Sequence, residues 1–118
     1  MERSWDTIRE LMLRVDDCSV DSAVVTADFS ADRGAELVHH VRILLEGKLI
    51  DADIINTLEP GDSRFQIFRL TWAGHELLDT IRNDTVWNQT KLFFQNQQLG
   101  FTYKAVLSVA RQLNESLM

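Results

Sequence analysis

Apolar residues recur at helical spacing in five segments of the chain and alternate with polar residues in three shorter ones. The segments follow one another as a helix, a strand, a second helix, a β-hairpin and three further helices. We therefore expect an α+β fold. With 118 residues, the chain has the size of one domain, and we expect a single domain over residues 1–118.

The first two helices show the pattern most clearly. The first is predicted from about Ser4 to Asp16, and an alternating run predicts a strand from Ala23 to Phe29. Ser30 or Asp32 is expected to cap the second helix, and Gly47 is expected to end it in the left-handed conformation. The apolar faces predicted for the core are Trp5, Ile8, Leu11, Met12 and Val15 on the first helix, and Leu37, Val38, Val41, Leu44 and Leu45 on the second.

Two alternating runs joined by Glu59-Pro60-Gly61-Asp62 predict a β-hairpin. Proline fixes the first central dihedral of a type II turn and glycine tolerates the positive second one, so Pro60 and Gly61 are expected to form the turn. Asp51 and Asp53 are expected on the solvent side. The opposite face is predicted to hold Ile50, Ala52, Ile54, Phe65, Ile67 and Arg69. Helix, strand, helix and hairpin in this order predict a winged-helix-like domain with three C-terminal helices.

The C-terminal helices are predicted to begin at caps, with Thr71 capping the first and Thr102 the last. Trp72 and Trp87 are expected in the core. The apolar surface of the last two helices must be covered, either by the hairpin and first helix or by a second subunit. We expect the former and keep a homodimer as the alternative. Residues that form this surface include Trp87, Phe93, Phe94, Tyr103, Val106, Leu107 and Leu113.

Charge is unevenly distributed along a chain whose net charge is −6. Residues 1–62 hold fourteen acidic and six basic side chains, whereas residues 63–118 hold four and six. The negative part includes the second helix, which would face DNA in a winged helix, so charge disfavours binding to a phosphate backbone. The chain has one cysteine, no apolar run of membrane-spanning length and a charged beginning. We expect a cytoplasmic protein that binds no membrane.

Candidate catalytic or metal-binding residues are few. The run His75-Glu76-Leu77-Leu78-Asp79 resembles a zinc-protease helix, but Asp79 replaces the second histidine. His39 and His40 are adjacent and point about 100° apart on a helix, so they are poorly placed to bind one ion. One is expected to be solvated and the other to border the core. We predict no catalytic residue, no metal and no cofactor.

The run from Leu70 to Trp87 resembles the hallmark of a phage- and prophage-associated family called domain of unknown function 2513. His40–Ile50 is similar to that family's middle helix, and Trp5–Arg9 is similar to its opening. The resemblance implies a small winged-helix-like protein of phage or mobile-element origin, with no established activity. The middle helix and its exit also resemble the reading helix of bacterial antibiotic-resistance and arsenic-type repressors. The strand predicted before it leaves no support helix for helix-turn-helix docking.

The first functional hypothesis is a protein-binding module that masks or recruits a host or phage protein. An acidic surface would suit a basic partner, including a nucleic-acid-binding protein whose site it could occupy as a DNA mimic. The predicted binding residues are Glu36, Glu46, Asp51, Asp53, Glu59 and Asp62.

The alternative is a transcriptional regulator that binds duplex DNA. In that case His39, His40 and Arg42 would enter the major groove, while the remaining basic residues would contact phosphates. A dimer would be needed, because three or four phosphate contacts give little affinity. The phosphate-contacting residues would be Lys48, Arg64 and Arg69.

Overall fold

A computed structural model of the protein describes residues 3–56, 63–97 and 102–117. These residues form five α-helices and a three-stranded antiparallel sheet, which confirms the predicted α+β class. The elements in chain order are α1 (Trp5–Asp17), β1 (Val24–Val25), α2 (Gly34–Glu46), β2 (Ile50–Ile55), β3 (Arg64–Leu70), α3 (Trp72–Ile81), α4 (Asp84–Gln97) and α5 (Tyr103–Leu117). The chain divides into two compact units, residues 1–75 and 76–118, with the boundary inside α3.

The first strand is shorter than predicted. It comprises only Val24 and Val25, which pair with β3, and the chain then enters a 3₁₀ turn over Thr26–Asp28. Asp28 accepts a hydrogen bond from the backbone N–H of Val25 through its carboxylate. Thr26 Oγ1 accepts the N–H of Phe65, a bond that a continued strand would otherwise make. The prediction of a strand to Phe29 is wrong because these short polar side chains bond the backbone and end the ladder.

A second 3₁₀ turn, Ala31–Arg33, leads into α2. The Ser30 side chain caps neither element, and α2 begins at Gly34 without a side-chain cap. The predicted capping role of Ser30 or Asp32 is therefore wrong. Because the 3₁₀ turn already holds the backbone in a helical path, α2 continues from it without a separate capping residue.

The end of α2 forms a Schellman motif, although not at the predicted residue. Gly47 is right-handed, with φ −78°, whereas Lys48 has φ +59°. The N–H of Lys48 bonds the carbonyl of Leu45, and the N–H of Leu49 bonds the carbonyl of Leu44. The left-handed position thus falls one residue later than predicted, on a lysine.

The strand β3 lies between the other two strands, in the order β1-β3-β2. Its register with β2 shifts between Asp51, which faces Arg69, and Ala52, which faces Ile67. Phe68 is therefore the extra residue of a β-bulge, and it reverses the alternation along the rest of the strand. Leu70 is buried and Arg69 exposed, so the prediction that Arg69 shares a face with Phe65 and Ile67 is wrong.

The predicted core is largely confirmed. The whole apolar face of α1 is buried, as is that of α2 except for the half-buried Leu45. Trp87 is also buried, but Trp72 is 82% exposed, so its predicted place in the core is wrong.

The second unit contains the end of α3 together with α4 and α5, which pack against each other. Asn114 on α5 donates to the carbonyl oxygen of Thr80 on α3. Phe93 and Tyr103 are 40% and 36% exposed, less covered than expected. The packing of the C-terminal helices on the hairpin stays a prediction, and the predicted turn at Glu59–Asp62 and the stop at Gly100 lie outside the described residues.

Candidate functional site

An open groove lies in the first unit where the end of α1 and the following loop face the end of β3 and the start of α3. It has a volume of about 680 Å³. Its lining residues are Val15, Asp16, Cys18, Ser19, Val20, Phe68, Arg69, Leu70, Trp72 and His75. Three large apolar side chains in it are exposed: Val20 (99%), Trp72 (82%) and Phe68 (44%).

Backbone contacts at the start of α3 hold Trp72 at this position. Thr71 Oγ1 accepts the N–H of Gly74 and donates to the carbonyl oxygen of Lys48, at 3.1 and 2.7 Å. The Thr71 N–H donates to the carbonyl oxygen of Leu49 at 3.0 Å. The predicted Thr71 cap is confirmed. The first turn of α3, which begins at Trp72, is therefore fixed to the segment that leads into β2.

Gly74 makes this close approach possible. A Cβ atom at this position would overlap the carbonyl oxygen of Leu49 and would also lie near Leu70. Any larger residue must push α3 away from the sheet. The place of Trp72 in the groove depends on this glycine.

The groove contains an acidic side chain. The Asp16 carboxylate lies 3.9 Å from Nδ1 of His75. Arg69, the cation in the groove wall, forms an ion pair with Asp51. Asp17 and Asp21, close to Asp16 in the chain, are exposed. A positively charged group in the groove would therefore meet acidic side chains, while the charge of Arg69 is already compensated.

The structure does not gather the predicted acidic residues into one cluster. Glu36 and Glu46 lie ten residues apart on α2, about 15 Å along the helix axis. Glu36 is bonded to Arg33, and Asp51 is paired with Arg69. Glu46 and Asp53 are exposed, while Glu59 and Asp62 lie outside the described residues. Of the four predicted acidic residues that the structure describes, Glu36 and Asp51 thus have basic partners in the same unit.

Two of the predicted DNA-contacting residues are bonded to other side chains of the protein. Arg42 donates to the side-chain oxygen of Asn56 at 3.1 Å, and Arg69 is paired with Asp51. His39 is half-buried, whereas Lys48 and Arg64 are exposed. Arg42 and Arg69 therefore have partners in the protein that phosphates would have to replace.

His40 is 1% exposed, so a contact with DNA would require this side chain to leave its buried position, and the predicted contact stays a prediction. Its Nε2 atom accepts the backbone N–H of Ser4 at 2.8 Å. Its Nδ1 atom then carries the proton and donates to the carbonyl oxygen of Glu36 at 2.7 Å. The side chain joins the start of α1 to α2. The expectation that one of the two histidines borders the core is confirmed.

A cluster of charged residues joins α1 to the start of α2. Arg33 donates to both carboxylate oxygens of Glu10, at 2.9 and 2.8 Å, and to Glu36 at 3.4 Å. These hydrogen bonds lower the pKa of Glu10 and Glu36 from the usual 4.5 and raise the pKa of Arg33. Thr7 Oγ1 also donates to Glu36, which lowers the pKa of that carboxylate further. The cluster links structural elements.

Cys18, His75 and Asp16 all line the groove, but Cys18 and His75 do not form a hydrogen bond in this structure. Within residues 3–56, 63–97 and 102–117, no group of three side chains is placed to hold a metal ion. The helices described there are all too short or too polar to cross a membrane.

The family model described as hypothetical protein, DUF2513, matches residues 2–100. The chain belongs to this family. It is also 33% identical over 119 residues to an uncharacterized protein of Haemophilus influenzae, a match that covers 100% of this chain and 99% of that protein. No solved structure matches the chain. The family predicted from the sequence is confirmed, and neither description names an activity.

The groove as a whole was not predicted from the sequence of this DUF2513 protein. Trp72 was expected in the core, as an aromatic residue of the family-like motif. Helical spacing indicates a different position. Glu76 and Asp79 follow Trp72 by four and seven residues, whereas the large apolar residues of α3 that are buried are Leu77, Leu78 and Ile81. Trp72 lies on the polar face of its own helix, and a tryptophan on a polar face is a candidate contact residue.

Proposed function

We propose that this protein is a non-enzymatic module that binds another protein through the groove around Trp72. The observation that supports this most is the exposure of Trp72 beside Phe68 and Val20. Aromatic side chains in concave, partly apolar surfaces are frequent anchors of protein interfaces. The hydrogen bonds at the start of α3 fix the backbone at Trp72 before any partner protein binds. Less conformational entropy is therefore lost on binding.

We further propose that the first unit is winged-helix-like. The helix, short strand, helix and hairpin occur in that order, and the sheet order β1-β3-β2 fits such a unit. Two 3₁₀ turns stand where a support helix would precede α2. A regulator that reads DNA with α2 is less well supported, because His40 is buried and Arg42 and Arg69 are bonded within the protein. The cytoplasmic location and the phage association stay predictions from the sequence.

Site-specific photo-crosslinking in cells tests this function. A photoreactive amino acid placed at Trp72 should yield a discrete protein adduct, and the same group at Leu92 should not. Leu92 is a matched control because it is 55% exposed but lies on α4, outside the groove. Adducts of equal yield at both positions, or none at Trp72, would contradict the proposal.

A second arm tests DNA binding directly. The full chain is incubated with a random duplex pool at about 50 mM salt, where electrostatic attraction is strong. We expect no enriched sequence. Enrichment of one motif, lost in Arg42→Gln, would replace the proposed function by the DNA-binding alternative.

A further inference from the structure

One edge of β3 is only partly covered by β1. The two strands pair at Val25 with Gln66 and at Val24 with Ile67, and the ladder ends there. Within the described residues, Phe68–Leu70 has a strand partner on the β2 side alone. A strand edge of this kind offers its backbone groups to another extended chain.

The open edge coincides with the groove. Phe68, Arg69 and Leu70 form one wall of the groove, while Ser19 and Val20 line another part of it. At the other end of β3 the situation differs, because Thr26 Oγ1 accepts the N–H of Phe65. The Thr26 side chain thus occupies the ladder edge at Phe65, whereas the end of β3 that borders Trp72 combines an edge without a strand partner with the space of the groove.

Charge and aromatic surface favour one kind of side chain in the groove. Asp16 supplies a carboxylate, and Asp17 and Asp21 add negative charge nearby, while Arg69 is compensated by Asp51. The exposed indole of Trp72 offers a face over which a Lys or Arg cation is attracted. The exposed ring of Phe68 can pack against an apolar side chain that neighbours this Lys or Arg in the bound segment.

We propose that the occupant is an extended segment of a partner protein that adds to β3 along Phe68–Leu70 and places a Lys or Arg side chain between Asp16 and Trp72. This inference rests on the proposed function and specifies the mode of binding. Main-chain hydrogen bonds provide affinity in such strand addition, and alternate side chains provide specificity. Three paired residues span roughly 10 Å, so a short linear segment suffices.

Selection of displayed random heptapeptides on the full chain tests the chemistry of the occupant. We expect enriched peptides to carry Lys or Arg next to an aliphatic or aromatic residue. One enriched synthetic peptide is then the probe for affinity by fluorescence anisotropy. Trp72→Ala should weaken its binding about thirtyfold, and Asp16→Asn about threefold with a flatter salt dependence.

Two matched controls define the expected specificity. Leu92→Ala removes an exposed apolar side chain outside the groove, and Asp53→Asn removes an exposed carboxylate from β2. Both should leave the affinity unchanged, and all variants should melt within a few degrees of the parent protein. Enriched peptides without a basic residue, or equal losses in variants and controls, would overturn the inference.

The backbone part of the inference has a separate readout. Methylation of single backbone nitrogens in the peptide should abolish binding at alternate positions. The peptide should also slow hydrogen exchange at the Leu70 amide, which faces the open edge because Arg69 and Thr71 on either side of it pair with Asp51 and Leu49. Tolerance of methylation at every position would exclude strand addition. A dimer that dissociates in Trp72→Ala would make a second copy the occupant and overturn the inference.

The two proposals fail in different ways. If crosslinking at Trp72 yields a partner but no peptide shows the alternating methylation pattern, the protein-binding function stands and strand addition is wrong. If neither position 72 nor any peptide yields binding, both proposals are wrong.

Discussion

Two surfaces of the first unit differ in how their polar and apolar side chains are used. Along α2, the buried His40 accepts the N–H of Ser4, and Glu36 accepts a hydrogen bond from Arg33. Both side chains were candidates for contacts with DNA or protein, but in the structure they connect structural elements. In the groove, the aromatic side chains of Trp72 and Phe68 are exposed to solvent. Charged residues on a helix face can thus be internal links, while an exposed aromatic on a rigid element is the better indicator of a binding site.

The largest expected effect within the first unit comes from moving the start of α3, which carries Trp72. Gly74→Ala should lower the free energy of unfolding by about 3 kcal/mol, because the added Cβ overlaps the carbonyl oxygen of Leu49. Denaturant titration measures the loss. Gly34→Ala is the control: nothing lies within 4 Å of its added Cβ, so this helical position should gain about 0.5 to 1 kcal/mol. Equal effects of the two substitutions would contradict the close approach.

The internal role of the α2 surface is tested at the adjacent histidines. His40→Phe should cost about 1 to 3 kcal/mol of unfolding free energy, because the part-buried N–H of Ser4 loses its acceptor and the carbonyl of Glu36 loses the imidazole donor, keeping only its helical bond. The half-buried His39 is the control, and His39→Phe should change stability by less than about 0.5 kcal/mol. If denaturant titration showed a larger loss of unfolding free energy for His39→Phe than for His40→Phe, the structural role would belong to the more exposed side of α2.

The connection between α2 and β2 can be sharpened with a stabilising variant. Lys48→Gly should raise the free energy of unfolding by about 1 kcal/mol, because glycine adopts the positive φ of this position without strain. Gly47→Ala should be close to neutral, since Gly47 is right-handed and its added Cβ makes only ordinary contacts. Thermal melts measure both effects. A loss of stability in Gly47→Ala together with no gain in Lys48→Gly would contradict a Schellman motif whose left-handed residue is Lys48.

The charged cluster between α1 and α2 predicts a pH dependence. The pKa of Glu10 and of Glu36 is lower in the folded state than the ordinary value of 4.5. The two ionised carboxylates therefore stabilise the folded state fully above pH 4.5, and this stabilisation is lost as the pH falls through their lowered pKa values. Arg33→Gln should lose about 0.5 kcal/mol near pH 7, a value that allows for solvent screening of partly exposed groups. The loss should shrink in denaturant titrations below about pH 4. Arg42→Gln, which loses a bond to an amide, should show no such dependence.

The smallest expected effect on stability is at the groove itself. Trp72→Ala should change the free energy of unfolding by less than about 0.5 kcal/mol, because the side chain is 82% exposed. Trp87→Ala, at a tryptophan that is 2% exposed, should lose about 3 to 5 kcal/mol. Calorimetry on both variants separates a binding residue from a core residue. A large loss at Trp72 would mean that the indole is structural.

The periodicity of the sequence was enough to predict the element order and most of the core. Leu11 and Val41 lie on continuous apolar faces, and burial follows directly from such faces. Details set by single backbone bonds were not predictable in this way. The early end of β1 depends on a hydrogen bond from Phe65 to Thr26, and the left-handed residue at the end of α2 is a lysine beside a glycine.

The candidate site was less predictable than the fold, because charge indicates a surface without showing how the charges are paired. Glu36 and Asp51 read as free acids in the sequence, yet Arg33 and Arg69 reach them in the folded chain. The groove draws on α1, β3 and α3, which only tertiary structure brings together. Trp72, on the polar face of its helix, is the one part of it that helical spacing could have indicated.

The bulge at Phe68 has an evolutionary consequence. Loss of this one codon would leave every other pair of the hairpin with its present partner: Ile67 with Ala52, Arg69 with Asp51 and Leu70 with Ile50. The buried face of the sheet would persist, while the aromatic wall of the groove would disappear. A single in-frame insertion or deletion could thus add or remove this wall in a family member, so a one-residue length difference in β3 would indicate whether the groove has its aromatic wall.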